Sequence, residues 1–395
     1  MKAVVLAAGE GTRLRPFTVS RPKVMIPVGR RPMMEHVVRS LVKNDITDIV
    51  MVVGYKKERI MTHFEDGSRF GARIEYAFQE RQLGTAHALL AASDSIGGEF
   101  LVLAGDNIID GKAVSDLMKG EGPAMLVTKS DIPSKYGVVM ASRGMVKSIV
   151  EKPEADMGNV INTGMYRFRP EILESMRGVT RAGETGITHV LQRMLPDLNL
   201  RAIQTSGRWM DAVYPWDLIG LNAMALGSRG QKTGGTIESG VTLKGSVEVG
   251  EGTRIRSGTY IQGPVYIGEG CDIGPDVTIF PTTRIGDGSQ IDPFTFIAQS
   301  VVMDNVRIAS HVHVSHSVID DGVRLGPGCS TSSGEAVTQV DKEMFRLDHI
   351  GSLIGENTTV GSGSVISPGC IVGAGCRIGP HTIVRNNLEN GSVVY

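Results

Sequence analysis

From Ile237 onward an aliphatic residue returns every six positions: Ile237, Leu243, Val249, Ile255, Ile261, Ile267, Ile273, Ile279, Ile285, Ile291 and Ile297. After small phase slips the series resumes through Val302, Ile308, Val314, Ile319 and Leu325, and a last run holds Ile354, Val360, Ile366, Val372, Ile378 and Val384. A glycine often follows the aliphatic residue, as in IGEG, IGDG, VGSG and VGAG. Period six is neither the helical 3.6 nor the simple alternation of a strand. It fits a chain that turns a corner every six residues and buries one aliphatic side chain per short strand. Three such strands close one triangular coil, and stacked coils bury a continuous aliphatic column. Glycine suits the corners because it accepts left-handed backbone angles without a side-chain clash. The chain holds 50 glycines beside only 5% aromatic residues, and in the second half alone the glycines follow this period.

The pattern is the hexapeptide repeat of an all-β, left-handed parallel β-helix. Cys271, Cys329, Cys370 and Cys376 each lie two residues before a repeat position, namely Ile273, Thr331, Val372 and Ile378. They read as small inward-facing core groups, and their spacing offers no zinc site. The stretch GEAVTQVDKEMFRLDHIGS, residues 334–352, breaks the repeat and is expected to protrude as a loop.

The first half has a different grammar. Short aliphatic runs (AVVLAA, DIVMVVG, EFLVLAGD, PAMLVTK) alternate with helical stretches such as PMMEHVVRSLVKN and TAHALLAASDSI. Strands that are apolar on both faces, alternating with helices, predict a doubly wound, Rossmann-like α/β sheet. A chain of 395 residues is long enough for two domains. The polar, glycine-rich LGSRGQKTGG divides them, giving 1–228 and 229–395. A formal net charge of -1 gives no pull toward nucleic acid or an anionic membrane. No run of 18 apolar residues marks a membrane span. MKAVVLAAGE reads as a first strand, not a signal peptide, so cysteine usage and the lack of an export signal point to the cytoplasm.

The first strand, Lys2 to Ala7, runs into AAGEGTRLRP. A glycine-rich turn directly after a strand lets backbone amides approach phosphates. Gly9-x-Gly11 alone also suits a dinucleotide fold, but Leu14 replaces the third glycine of that fingerprint. A guanidinium at Arg13 and an ammonium at Lys23 beside such a turn suit a triphosphate. Asp106, ending an apolar strand in LAGDN, sits where α/β sheets place ligands.

The segment LAAGEGTRLRPFTVSRPKVMIPVGRRPM resembles the signature of sugar-nucleotide pyrophosphorylases, the sugar-1-phosphate nucleotidyltransferases. QLGTAHAL, LAGDN, KYGVV, VEKP, INTGMYRF and WMDAVYPWDL match the same family in order, over about residues 1–225. The resemblance implies an enzyme in which a sugar 1-phosphate attacks a nucleoside triphosphate and pyrophosphate leaves. It implies that Asp106 and Asp211 hold magnesium and that Arg13 and Lys23 meet the triphosphate. Leu6, Ala7, Ala8, Gly9 and Gly11 form the nucleotide turn, with Gln79, Gly84 and Thr85 near the base. Lys152 meets the sugar phosphate, and Gly137, Glu151 and Asn162 line the sugar pocket. Glu184 and Thr188 match a further family motif, but His189 stands where aspartate is expected and reads as a structural histidine.

The second half resembles the acetyl-CoA-dependent β-helix of the bifunctional N-acetylglucosamine-1-phosphate uridyltransferase–acetyltransferase. FIAQSVVMDNVRIASHVHVSHSVIDDGVRLGPGCSTSS matches it in phase. Its functional letters differ: the expected catalytic histidine falls on Ser310 and the tyrosine on His313. The sugar-binding lysine falls on Ala298 and an asparagine on Ser333. His311 could stand in as a base, but its side chain takes a different direction. The first reading is therefore a nucleotidyltransferase whose β-helix assembles homo-trimers or larger oligomers. A bifunctional transferase and a non-catalytic scaffold are the alternatives. His311 and His313 are expected to face outward, in an interface or surface role; with His316 they also invite a metal hypothesis. QLGTAHA, EKP and WMDAVYPWD favour UTP or dTTP, with N-acetylglucosamine 1-phosphate slightly ahead of glucose 1-phosphate.

Overall fold

The computed structural model describes residues 1–181, 183, 185–227 and 230–395, with only the backbone at Arg181. Glu184, named above as a motif residue, and Ser228 and Arg229 at the domain division lie outside the described residues. The chain divides into two compact units. One comprises Met1–Glu10, Pro22–Met25 and Pro32–Asp211, the other Gly11–Arg21, Ile26–Arg31 and Ala212–Tyr395.

The first unit is a doubly wound α/β structure. Its first four strands are β1 (Lys2–Ala7), β2 (Asp48–Val53), β3 (Arg73–Phe78) and β4 (Phe100–Ala104), followed by a short β5 (Asn107–Ile109). Then come β6 (Ala124–Lys129), β7 (Gly137–Ser142), β8 (Met145–Glu151), β9 (Val160–Phe168), β10 (Arg201–Gln204) and β11 (Trp209–Asp211). Among the described residues, nine of these form one sheet in the order β3-β2-β1-β4-β9-β6-β10-β8-β7. β1 is parallel to β2 and β4, while β9 runs antiparallel to β4 and β6, so the sheet is mixed. β5 and β11 pair separately.

Residues of β1 alternate between two cores, which is what winding helices over both faces requires. Ala3, Val5 and Ala7 join the core under α1 (Met33–Val42), α2 (Lys57–Phe64) and α4 (Gly111–Leu117). Val4 joins the core under α3 (Thr85–Ala91), α5 (Glu171–Arg181) and α6 (Ile187–Met194). The predicted helix PMMEHVVRSLVKN is α1, burying Met33, Met34, Val37, Val38 and Leu41 on one stripe. No helix among the described residues is long and apolar enough to cross a membrane.

Among the described residues of the second unit the six-residue pattern becomes three parallel sheets of eight, nine and eight strands. One column of inward residues runs Ile255, Ile273, Ile291, Ile308, Leu325, Val360 and Ile378 in direct register. A second runs Ile267, Ile285, Val302, Ile319, Ile354 and Val372. All four cysteines are free and buried in this core, as their register predicts. Burial pushes the Cys271, Cys329 and Cys370 thiols up.

The break at residues 334–352 is not a loop. It is an antiparallel hairpin of β12 (Gly334–Val340) and β13 (Glu343–Ile350), turning at Asp341 with φ 55°. Leaving the six-residue period removes the corners but not strand propensity, and the hairpin pairs with itself. Phe345 packs against Tyr214 and Trp216, with centroids 4.5 and 5.3 Å away. Those two aromatics precede α7 (Asp217–Leu226).

Candidate active site

Within the α/β unit, the end of β1 is tied into its neighbours by backbone bonds. Gly105 N–H donates to the Leu6 carbonyl at 2.9 Å, and Tyr55 N–H to the Ala8 carbonyl at 3.1 Å. Ala7 and Ala8 are buried, and a side chain added at Gly9 would meet no atom within 4 Å. Packing therefore does not require glycine there; bare backbone leaves room for a ligand.

At the carboxyl end of β4, Lys23 Nζ lies 2.5 Å from Asp106 Oδ2. Lys23 opens a short 3-10 turn, and Asp106 occupies the gap between β4 and β5. The β5–β11 ladder sets Asp211 opposite Asn107, the residue after Asp106. The ladder is locked from a third strand: the Thr163 carbonyl in β9 accepts from Asn107 Nδ2 at 3.1 Å and from Trp209 Nε1 at 3.0 Å. Asp106, one residue before the ladder, and Asp211 on its last rung supply hard oxygen donors. Among the described residues no group of three or more His, Cys, Asp or Glu could hold a metal ion. Such a two-carboxylate set fits a cation whose remaining ligands are water and substrate oxygens.

Gln79, Gly84 and Thr85 come together beside the amino end of α3. Gln79 is buried, and its Nε2 donates to the Gly84 carbonyl at 3.0 Å and meets His87 Nδ1 at 3.0 Å. Gly84 has φ 94°, and a Cβ there would lie 2.4 Å from the Thr185 carbonyl oxygen, so no other residue fits. Thr85 Oγ1 accepts from Ile187 N–H at 2.9 Å. Next to Gln79, a cleft of about 380 Å³ opens at the carboxyl ends of β2 and β3, lined also by Val53, Gly54, Tyr55, Lys57 and Phe78.

The sugar-pocket candidates form a second group. Gly137 pairs with Glu151 in the β7–β8 ladder, and a Cβ at Gly137 would stand 3.0 Å from Glu151 Oε2 and 3.4 Å from Thr188 Cγ2. Asn162 Nδ2 donates to the Tyr166 hydroxyl at 2.6 Å, and Asn162 Oδ1 accepts from Gly164 N–H. Burial pushes the Tyr166 phenol up to about 12, with the Glu151 charge adding to it. Lys152 follows β8 with φ 45°, its N–H held by the Tyr136 carbonyl. His189 is exposed on α6, with Nδ1 beside Gly186.

Gly11 and Arg13 group with the β-helix unit. Gly11 has φ 75° and its carbonyl accepts from Leu14 N–H and the Thr18 hydroxyl. Arg13 Nε lies 3.9 Å from Asp341 Oδ2. In the same unit His311 and His313 are exposed, as expected, and stack on Phe294 and Phe296 with centroids 5.0 and 4.7 Å apart. Ala298 is buried and Ser310 half-buried, while Ser333 Oγ contacts Ser315 Oγ at 3.1 Å and His349 Nε2 at 3.3 Å. His316 meets His349 edge to face.

Sequence reasoning missed Tyr166, Asn107 and Trp209. All three lie inside the motifs quoted above (LAGDN, WMDAVYPWDL and INTGMYRF), and Tyr166 also stands four residues from Asn162 in one strand.

Comparison with known proteins identifies the family. Residues 2–224 match the model of the Nucleotidyl transferase family, residues 261–346 the GMPPB C-terminal domain, and residues 351–386 Bacterial transferase hexapeptide (six repeats). The Bifunctional protein GlmU of Methanococcus maripaludis is 36% identical, over 100% of this chain and 97% of the relative. The UTP--glucose-1-phosphate uridylyltransferase AglF of Haloferax volcanii is 38% identical over 55% of this chain and 93% of its own length. A crystal structure assigned as a glucose-1-phosphate thymidylyltransferase of Bacillus anthracis, in complex with sucrose, superposes with TM-score 0.54 at 30% identity. It covers 58% of this chain and 97% of that one. The chain belongs to the nucleotidyl transferase family, as a sugar-1-phosphate nucleotidyltransferase carrying a left-handed, hexapeptide-repeat β-helix.

Proposed function

We propose that this enzyme joins N-acetylglucosamine 1-phosphate or glucose 1-phosphate to UTP or dTTP and releases pyrophosphate. The observation that carries the reading is Lys23 against Asp106 at the carboxyl edge of β4, with Asp211 on the adjoining ladder. A sugar-phosphate oxygen attacks the α-phosphorus, a P–O bond forms there, and the bond to the departing pyrophosphate breaks. The nucleophile is already an anion, so the protein supplies positioning and charge neutralisation, not a base. Arg13 and Lys23 neutralise the triphosphate, and the backbone of Leu6, Ala7, Ala8, Gly9 and Gly11 cradles it. Gln79, Gly84 and Thr85 receive the base. Lys152 meets the sugar phosphate, and Gly137, Glu151 and Asn162 receive the sugar hydroxyls. Asp106 and Asp211 would hold magnesium, which when bound supplies Lewis-acid neutralisation of the phosphate oxygens. Uridylyl- and thymidylyltransferase names among the relatives support a pyrimidine nucleotide.

The catalytic domain is taken as 1–228 and the β-helix as 229–395. A partly exposed ladder of Tyr260, Phe280, Phe296 and His313 along one sheet suits homo-oligomer assembly, a trimer or larger, in the cytoplasm. Pyrophosphate release with magnesium, across UTP, dTTP, GTP, ATP and CTP against the glucose, N-acetylglucosamine and mannose 1-phosphates, tests the reaction. Release with a single pairing names the substrates; silence from folded protein across the whole grid discards the reading.

A second reading adds acetyl transfer in the β-helix, favoured by relatives named bifunctional that match this chain end to end. Ser310, His313, Ala298 and Ser333 at the key positions weigh against the usual chemistry. Coenzyme A release from acetyl-CoA with an amino sugar 1-phosphate decides it.

A further inference from the structure

The turn that carries Gly11 and Arg13 is fastened to the β-helix by Arg21 at its end. Arg21 is 8% exposed, and its Nη2 donates to Asp320 Oδ1 at 2.8 Å and to Asp321 Oδ2 at 2.7 Å. Its Nη1 lies 3.5 Å from Met303 Sδ. One residue earlier, the Ser20 hydroxyl donates to Glu356. Pro16 rests against the bare backbone of Gly355.

These acceptors sit on stacked rungs. Asp320 and Asp321 follow the strand Val318–Ile319, and Glu356 follows Leu353–Ile354, its neighbour in the same sheet. Ile319 and Ile354 supply the aliphatic core at these rungs, whereas the Asp320 carboxylate is enclosed with the Arg21 guanidinium. A guanidinium offers a rigid planar set of donors that reaches two carboxylates at once. Burial makes the arrangement intolerant of losing one partner, because the charge left behind has no water to solvate it.

We propose that Arg21 is a positioning residue for nucleotidyl transfer: pinned by Asp320 and Asp321, it sets the path of residues 11–21 and so the placement of Gly11 and Arg13 on the triphosphate. The inference rests on the nucleotidyl-transfer reading above.

The test compares full-length wild type with Arg21→Ala, Arg21→Lys and Asp321→Asn. Pyrophosphate release is measured against UTP, dTTP and each sugar 1-phosphate, and UTP and dTTP binding by calorimetry without sugar phosphate. Arg21→Ala raises the KM and Kd for the triphosphate by about 10–10²-fold, as expected for an ångström-scale misplacement, and leaves the sugar-phosphate KM within about twofold. Arg21→Lys and Asp321→Asn fall between and carry the test if Arg21→Ala fails to fold. Arg256→Met, which breaks a more exposed pair with Asp272 in the same unit, leaves both KM values in place. An unchanged triphosphate KM in a folded Arg21 variant, or an equal loss for both substrates, overturns the positioning role. A wild type silent with every substrate overturns the nucleotidyl-transfer reading instead, and the calorimetric arm still decides whether Arg21 supports triphosphate binding.

Discussion

Val4 in the α/β unit and Ile273 in the β-helix are both fully buried, yet they are buried by different kinds of neighbour. Ile273 is stacked between Ile255 and Ile291, each eighteen residues away, and outside the hairpin excursion the interval along its column stays at seventeen or eighteen. Val4 lies between Val50 and Val102, in a core completed by helices from three different stretches of chain. In the β-helix, contact partners stand at a near-constant sequence interval, so a linear pattern names them. In the α/β unit, the pattern announces a strand but not its partners. Function follows the same division. Of the charged groups proposed for chemistry in the α/β unit, Asp106 and Lys152 follow strand ends and Glu151 and Asp211 are the last residues of theirs, while the β-helix column is aliphatic.

The sharpest way to break this comparison is Asp106→Ala. Nucleotidyl transfer is expected to fall on the order of 10³-fold with little change in melting temperature, measured by pyrophosphate release beside calorimetry. Unchanged turnover would remove the centre of the proposed site. Ile273→Ala should do the reverse. It costs about 2–5 kcal/mol of stability as a buried cavity and is read as a denaturant-midpoint shift. The kcat/KM of the molecules that remain folded should hold. Loss of activity without loss of stability would show that the column is not merely structural.

Asp320 sharpens the comparison through pH. Burial lifts its carboxyl to about 7, with Asp321 and Glu356 adding to the rise and Arg21 opposing it. A carboxyl raised on folding contributes stability that is fully present below about 4 and is lost as pH rises through about 7. Relative to Asp320→Asn, the wild type should therefore be at its best near pH 4 and lose ground by pH 8. Melting curves of both proteins across that range check it, and a flat difference would refute the shift. The smallest effect is expected from Tyr166→Phe, which deletes one buried hydrogen bond to Asn162 worth about 1 kcal/mol. The sugar-phosphate kcat/KM should drop by about fivefold, with the triphosphate KM unmoved.

Legibility differed in the same way. Twenty-two repeat positions from Ile237 to Val384 could be read without any structure, and each lies in the β-helix core or packs against it. The cysteines followed from the same register. Residues 334–352 read as a loop because they leave period six, whereas the hairpin obeys period two. Lys23 and Asp106 were legible as charged residues after a glycine turn and a strand, but nothing in the chain's order says that they touch. Arg21 carried no signal at all, since its partners lie some three hundred residues away.

By itself, the sequence determined the two fold classes, the inward face of every repeat and the residue types available for phosphate chemistry. Those are set by local periodicity and side-chain chemistry, which need no knowledge of distant contacts. Only the tertiary structure decided the mixed order of the nine-stranded sheet, the ladder that sets Asp211 beside Asn107, and the burial of Arg21 with Asp320 and Asp321. Each of these joins segments far apart in the chain. Its geometry is set by which surfaces pack and which buried charges find partners, and neither is written in the spacing of residues.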